Sequence, residues 1–267
     1  MFELPFPAGL PAVSPGQTLK TLNCLLILAC CLLSGCEKAD FETAHRAFKA
    51  GDYANALEQL KILAEADDAK AQNNLGYMYL NGIGVEKDFK KAFHWYRKSA
   101  TQGVAEAQHS LGFIYAEGLG TAAVPTLALK WYRLAAEQGL SQAQFNLAYM
   151  HENSIGIRRD DEQVLKWYTA AAQQGNLVAQ NKLGNMYLSG DGTGIDLLQA
   201  YAWFGVAVAG GYEQALSARE AIAVQLDDSE LDQAREMARN IWVANGLRDK
   251  TSTDGIRENE SADSETL

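Results

Sequence analysis

The chain has 267 residues, of which 48% are hydrophobic and 21% charged, with only 5 prolines. Those proportions exclude a disordered or collagen-like polypeptide and fit an ordered body of one or two units. With 33 acidic against 23 basic side chains, a formal net charge of −10, no basic stripe is available to compensate phosphates, and nucleic acid is not an expected partner.

The first element in chain order reads as an address. All four cysteines, Cys24, Cys30, Cys31 and Cys36, fall in the first 36 residues, so no disulfide, thiolate metal site or cysteine nucleophile can form in the remainder. Lys20 supplies a positive start, Leu22 to Leu33 an apolar run, and Leu33-Ser34-Gly35-Cys36 a small-residue cleavage site, the order of a secretory signal. The run is shorter than the roughly 20 residues that span a bilayer. Leu33-Ser34-Gly35-Cys36 resembles a bacterial lipobox, which implies a lipidated Cys36 and cleavage before it. Glu37 in the next position implies the outer rather than the inner membrane. Acyl chains gaining about 0.8 kcal/mol per buried methylene would make that attachment lasting. Residues 1–35 are therefore expected to be a signal peptide and 36–40 a lipidated linker. Met1 to Thr18, with its prolines and Glu3, makes a poor signal start. Translation from Leu19 through a leucine-type start codon would leave 1–18 outside the product.

The body repeats. Rows of 36 residues align Leu75, Leu111, Leu147 and Leu183, then Gly76, Gly112, Ala148 and Gly184, then Tyr79, Tyr115, His151 and Tyr187. Further columns hold Gly84, Gly120, Gly156 and Gly192, and Trp95, Trp131, Trp167 and Trp203, and each row closes on Gly103, Gly139, Gly175 or Gly211. The units are 68–103, 104–139, 140–175 and 176–211. Each contains two helical patterns: Ala71, Gln72, Leu75, Gly76, Met78 and Tyr79 share one arc, and Ala92, Trp95, Tyr96 and Ala100 have the spacing of a buried face. Asn81-Gly82-Ile83-Gly84 connects them, and the closing glycine suits a helix C-terminus. A helix pair that cannot bury its face alone stacks on its neighbours as a solenoid.

The Ala-x-x-x-Leu-Gly-x-x-Tyr, Gly-x-Gly, Ala-x-x-Trp-Tyr and terminal Gly columns resemble the Sel-one-like repeat, a relative of the tetratricopeptide repeat. The resemblance implies an all-α, right-handed α-solenoid. Residues 41–67 resemble a shortened leading unit, with Ala44, Phe48 and Gly51 standing where Leu75, Tyr79 and Gly82 stand and Ala56 aligned with Ala92. Residues 212–247 are helical in pattern but off the repeat and more polar, as a solubilising cap requires. Residues 248–267 lack aromatics and read as a disordered acidic tail. The third unit departs most, with Ala148, His151, Ser154 and Val164, and its charged connection at Arg158 to Asp161 is expected to be more exposed and mobile.

No constellation points to catalysis. The Gly-x-Gly pairs lack the preceding strand and third glycine of a dinucleotide fingerprint and the Gly-Lys-Ser/Thr of a Walker loop. His45, His94, His109 and His151 never take metal-ligand spacing, and no nucleophile elbow is visible. Asp67/Asp68, Asp160/Asp161 and Asp227/Asp228 fall at helix starts, where acids favour the helix dipole. The tryptophan column has the spacing of core, and a Trp95→Ala change would cost about 3–5 kcal/mol if the ring is buried. No cofactor and no metal are expected.

One feature exceeds what folding asks for. Opposite the buried arc of the first helices stand two columns, Asn73, His109, Phe145, Asn181 and Tyr77, Phe113, Tyr149, Asn185. A solvated face is normally charged, yet this one is aromatic and amide-rich. The resemblance puts these columns in a concave groove, where rings offer contact area at low entropy cost and amides can pair with a peptide backbone. Lys90, Lys91, Arg97 and Lys98 on a second helix read as an ordinary solvated face. The expectation is a non-enzymatic scaffold that binds a protein or peptide in the groove, lipid-anchored to the outer membrane and facing the periplasm. Two alternatives are kept: a secreted protein active on peptidoglycan or β-lactams, for which the paired cysteines of that family branch are lacking, and a cytoplasmic signalling adaptor.

Overall fold

The structure, a computed structural model, describes residues 39–246. The expected signal segment, Cys36 and the expected acidic tail lie outside the described residues. Within them the chain forms twelve α-helices and one short 3-10 turn, with no strand. In order these are α1 (Phe41–Lys49), α2 (Tyr53–Glu65), α3 (Ala69–Asn81), α4 (Phe89–Thr101), α5 (Ala105–Glu117), α6 (Pro125–Glu137), α7 (Ser141–Glu152), α8 (Asp161–Gln173), α9 (Leu177–Ser189), α10 (Leu197–Ala209), α11 (Leu216–Ala223) and α12 (Asp228–Ala244). From α1 to α10 each helix packs on the one before and the one after it, and α12 packs back on α10. The fold is an α-solenoid of helical pairs. No helix among the described residues is long and apolar enough to cross a membrane.

Sequence sets the helix ends. Asp40, Asp52, Asp68, Asp88, Asp160, Asn176 and Asp196 each accept a hydrogen bond from the backbone N–H three residues on, satisfying one of the free donors of a first turn. Asp227 and Glu230 form a reciprocal capping box at α12. The acidic pairs noted in the sequence thus include three N-caps, Asp68, Asp160 and Asp227. The C-terminal ends of α3, α5 and α9 fall on Gly82, Gly118 and Gly190 in the left-handed region.

The second glycine of each Gly-x-Gly pair works between units. A Cβ on Gly120 would collide with the Phe89 carbonyl, and one on Gly156 would lie 2.8 Å from the Pro125 carbonyl carbon. These glycines let a connection press on the start of the preceding second helix, which accounts for the motif without a phosphate.

The core is carried by a column next to the tryptophans. Tyr96, Tyr132, Tyr168 and Phe204 are all buried, and a Cβ on Gly76, Gly112 or Gly184 would approach the Tyr96, Tyr132 or Phe204 ring to 2.9, 2.7 and 2.6 Å. A mid-helix glycine costs about 1 kcal/mol in propensity, and here it lets an aromatic ring lie on the helix backbone. Burial of the tryptophans is uneven: Trp167 and Trp203 are 8% and 6% exposed, whereas Trp95 and Trp131 are half-buried. The i, i+3, i+4 spacing puts Trp95 and Tyr96 on one side of α4, but only the tyrosine lies under the facing glycine. The cost of Trp95→Ala is accordingly lower than that of a full cavity.

Buried glutamines tie successive units together, Gln108, Gln144 and Gln180 donating to the Ala100, Ala136 and Ala172 carbonyls, and they also tie the two halves of a unit. Gln102, Gln138 and Gln174 each donate to the side-chain oxygen of Gln72, Gln108 and Gln144, at 2.8, 2.7 and 2.7 Å. The connection of the third unit is exposed from Asn153 to Asp160 except at Ile155 and Ile157, and an Arg159–Asp161 ion pair of 2.6 Å closes onto the start of α8.

Candidate functional site

The two groove columns sit on α3, α5, α7 and α9, one pair per helix, four residues apart and therefore on one face. Their environments differ. Tyr77, Phe113 and Tyr149 are 46%, 40% and 44% exposed, and Asn185 is exposed as well. Asn73, His109, Phe145 and Asn181 are half-buried. The His109 ring lies 5.5 Å from Tyr132 and the Phe145 ring 5.6 Å from Tyr168, so these two members of the column pack sideways on the second helix of their own units. The outer column meets solvent and the inner one supports it.

A polar seam runs beside these columns. The Asn146 amide lies 3.0 Å from His109 Nε2, and the Asn146 side chain also bonds the Tyr132 hydroxyl. One unit further, the Tyr168 hydroxyl donates to Glu152 at 2.7 Å, and Lys182 Nζ donates to both Glu152 oxygens at 3.0 and 2.9 Å. Burial pushes the Tyr132 and Tyr168 hydroxyls well above the ordinary phenol range, and Glu152 adds to this at Tyr168. Both phenols are proton donors at neutral pH. Burial pulls His109 below its ordinary value, so its imidazole is neutral and pairs with Asn146 as a polar, uncharged group. This seam bonds α5 to α7 and α7 to α9, holding successive first helices in register.

Three asparagines on the face have their amide nitrogens engaged with their own helix. Asn81, Asn153 and Asn185 donate to the carbonyls of Tyr77, Tyr149 and Asn181 at 2.9, 2.8 and 3.0 Å. At the amino-terminal end of the same face, Ala44, His45, Phe48, Leu60, Asn74 and Tyr77 line a cavity of about 190 Å³. Sequence reasoning missed this cavity and the Glu152–Lys182 pair. Both leave a trace in the repeat columns: Leu60 opens a column that continues Tyr96, Tyr132 and Tyr168, and Glu152 stands where Leu80, Ala116 and Leu188 stand. Among the described residues, no group of three or more His, Cys, Asp or Glu side chains is placed to hold a metal ion.

The family model of the Sel1 repeat matches residues 69–104, 105–140, 141–176 and 177–212. The chain belongs to the Sel1 repeat family. A crystal structure of a Sel1 repeat protein from Oxalobacter formigenes is similar over 79% of this chain and 86% of its own, at 29% identity and a TM-score of 0.66. Among curated Sel1-like relatives, the secretory immunoglobulin A-binding protein EsiB of Escherichia coli is 49% identical over 43 residues, 16% of this chain and 9% of its own length. A sel1-like repeat-containing protein of Acanthamoeba polyphaga mimivirus is 47% identical over 45 residues, 17% of this chain and 8% of its own. The match thus spans less than a tenth of either curated relative. Sel1 repeat proteins generally mediate protein–protein interaction, and the fold is typically non-enzymatic.

Proposed function

We propose that this chain is a non-enzymatic scaffold of the bacterial cell envelope that binds a partner protein or peptide along the face of its first helices, tethered by lipid on Cys36 to the periplasmic side of the outer membrane. The observation that carries the binding surface is the exposed column Tyr77, Phe113 and Tyr149. Three large rings in a row, each about two-fifths exposed, are not required by the helices beneath them, whose buried arcs are complete without them. Aromatic side chains of this kind dominate recognition surfaces because they desolvate a large area while ordering few rotatable bonds. The half-buried column and its polar seam hold the rings at fixed separations, which reduces the ordering cost of binding. The likeness to EsiB, named for binding an immunoglobulin, supports the class of partner, a protein.

Photo-crosslinking residues placed at positions 77, 113 and 149 in the native cell, with positions 91 and 97 on α4 as controls, test the surface. Capture of one envelope protein from the first-helix positions and not from the controls is the expected result. Crosslinks confined to this chain's own neighbouring units would assign the rings to packing. The address is tested separately by metabolic labelling with a fatty acid: label on the wild type and none on Cys36→Ser is expected, and unlabelled protein recovered from the cytosol would refute the tether.

A further inference from the structure

The cavity beside Tyr77 has an origin in repeat register. Leu60 occupies the column of Tyr96, Tyr132 and Tyr168, and Ala44 the column of Leu75, Leu111 and Leu147. In the later units the tyrosine ring is buried, and its hydroxyl is bonded by a side chain on the first helix of the next unit, Ser110 for Tyr96 and Asn146 for Tyr132. Asn74 belongs to that same column and lines the cavity. The leading unit therefore keeps the hydroxyl's partner and lacks the ring: its cavity stands in the place of a tyrosine that this chain does not supply there.

We propose that this cavity binds a tyrosine side chain of the partner, an inference that rests on the groove reading above and gives it a specificity pocket. Size agrees, because an apolar cavity of about 150 Å³ takes up benzene and this one measures about 190 Å³. Chemistry agrees as well. Besides Asn74, the walls are Ala44, Leu60, His45 and the rings of Phe48 and Tyr77, which stand 6.5 Å apart at a 60° tilt, a setting that favours edge contacts with a third ring. A lysine there would bring its charge among walls that offer it no carboxylate, and an aliphatic side chain would gain no bond from the Asn74 amide. All 11 tyrosines of the chain lie within the described residues, and residues 1–38 and 247–267 contain none. Neither of these flanking segments supplies the phenol.

The test uses side-chain analogues, p-cresol for tyrosine and toluene for phenylalanine, titrated into the full chain and followed by NMR at the Ala44 and Leu60 methyl groups. The expected result is binding of p-cresol about two- to tenfold tighter than toluene, the worth of one neutral hydrogen bond. Asn74→Ala should abolish that preference while leaving toluene binding unchanged. Leu60→Tyr, which puts the residue of the later units at the cavity wall, should exclude both ligands. Absence of cresol binding, equal affinities in the wild type, or a preference that survives Asn74→Ala would each overturn the assignment. Because no partner is needed, cresol binding as expected together with an absence of groove crosslinks would leave the cavity standing and remove the scaffold reading instead.

Discussion

At the scale of single residues, the fold stores strain where a column departs from glycine. Ser154 stands in the column of Gly82, Gly118 and Gly190 and takes φ 57°, and Asp67 stands in the column of Gly103, Gly139, Gly175 and Gly211 and takes φ 72°. A side chain in the left-handed region costs about 1–2 kcal/mol. At Asp67 part of this is returned, since its carboxylate accepts a 2.9 Å hydrogen bond from the buried Gln72 amide. The Ser154 side chain makes no such bond. Ser154→Gly should therefore stabilise by about 1 kcal/mol and Asp67→Gly by less or not at all, read as a shift of the urea midpoint at constant slope. A second departure in the third unit sets a pH response. His151 occupies the tyrosine column, is 3% exposed, and has a buried Nδ1 with no hydrogen-bond partner. Burial lowers its proton affinity, with Arg133 acting in the same direction and Asp160 against it, and burial lowers that of His109 too. The unfolded chain then binds protons near pH 6.5 that the folded chain refuses. Stability is whole above that pH and is lost as the pH falls from about 6.5 toward the depressed folded values, at no more than about 1.4 kcal/mol per pH unit for each histidine. His151→Tyr should flatten the dependence of unfolding free energy between pH 7 and 5.5, leaving the smaller slope due to His109 and to His94, whose proton affinity is lowered by burial and by Lys98 and Arg97.

At the scale of elements, glycines of one composition have two different tasks, and substitution separates them. Gly120 has φ 69° and its missing Cβ faces the Phe89 carbonyl, whereas Gly103 has φ 94° and open space around it. Gly103→Ala should cost the backbone term alone, about 1–2 kcal/mol. Gly120→Ala must also push α4 away from the connection after α5, so its loss in thermal unfolding should exceed that of Gly103→Ala by a clear margin; equal losses would show that the close approach relaxes freely. Element type and order were legible in the 36-residue columns, because period, glycine punctuation and acidic caps all point to the same helix pairs. Which ring of the Trp95–Tyr96 pair is buried was not, because both fall within one arc and the outcome depends on the glycine facing them across the unit. The groove columns were legible as non-charged positions, but their division into an exposed column and a packed one was not, because His109 and Phe145 are held by tyrosines of a different helix. The cavity at Leu60 was hidden for a related reason: a leucine in place of a tyrosine keeps the hydrophobic pattern intact while changing the volume it fills.

At the scale of the whole molecule, a stack of pairs must end. The leading end opens at α1 with a cavity, while the trailing end is closed by α12. The need for closure lies in α10, where Tyr201, Ala202, Trp203, Phe204, Val206 and Ala207 are all buried, so that the helix is covered on more than the side facing α9. Ala202 and Val206 form a cluster with Ala238 and Trp242 of α12, and the Asn245 amide reaches the Ala172 carbonyl, 3.4 Å away and 73 residues earlier. An uncovered terminal unit presents to water the apolar face on which a further unit would stack, and such a face is satisfied by a second molecule as readily as by a further helix. A chain ending at Leu226, which lacks α12, should therefore stay helical by circular dichroism but self-associate in sedimentation velocity in a concentration-dependent way. Trp242→Ala, which leaves the helix in place, should lose about 3–5 kcal/mol without associating. Association in both variants would mean that the ring alone holds the cap down. A truncated chain that remains monomeric would show that α11 and the turn before it suffice to cover α10.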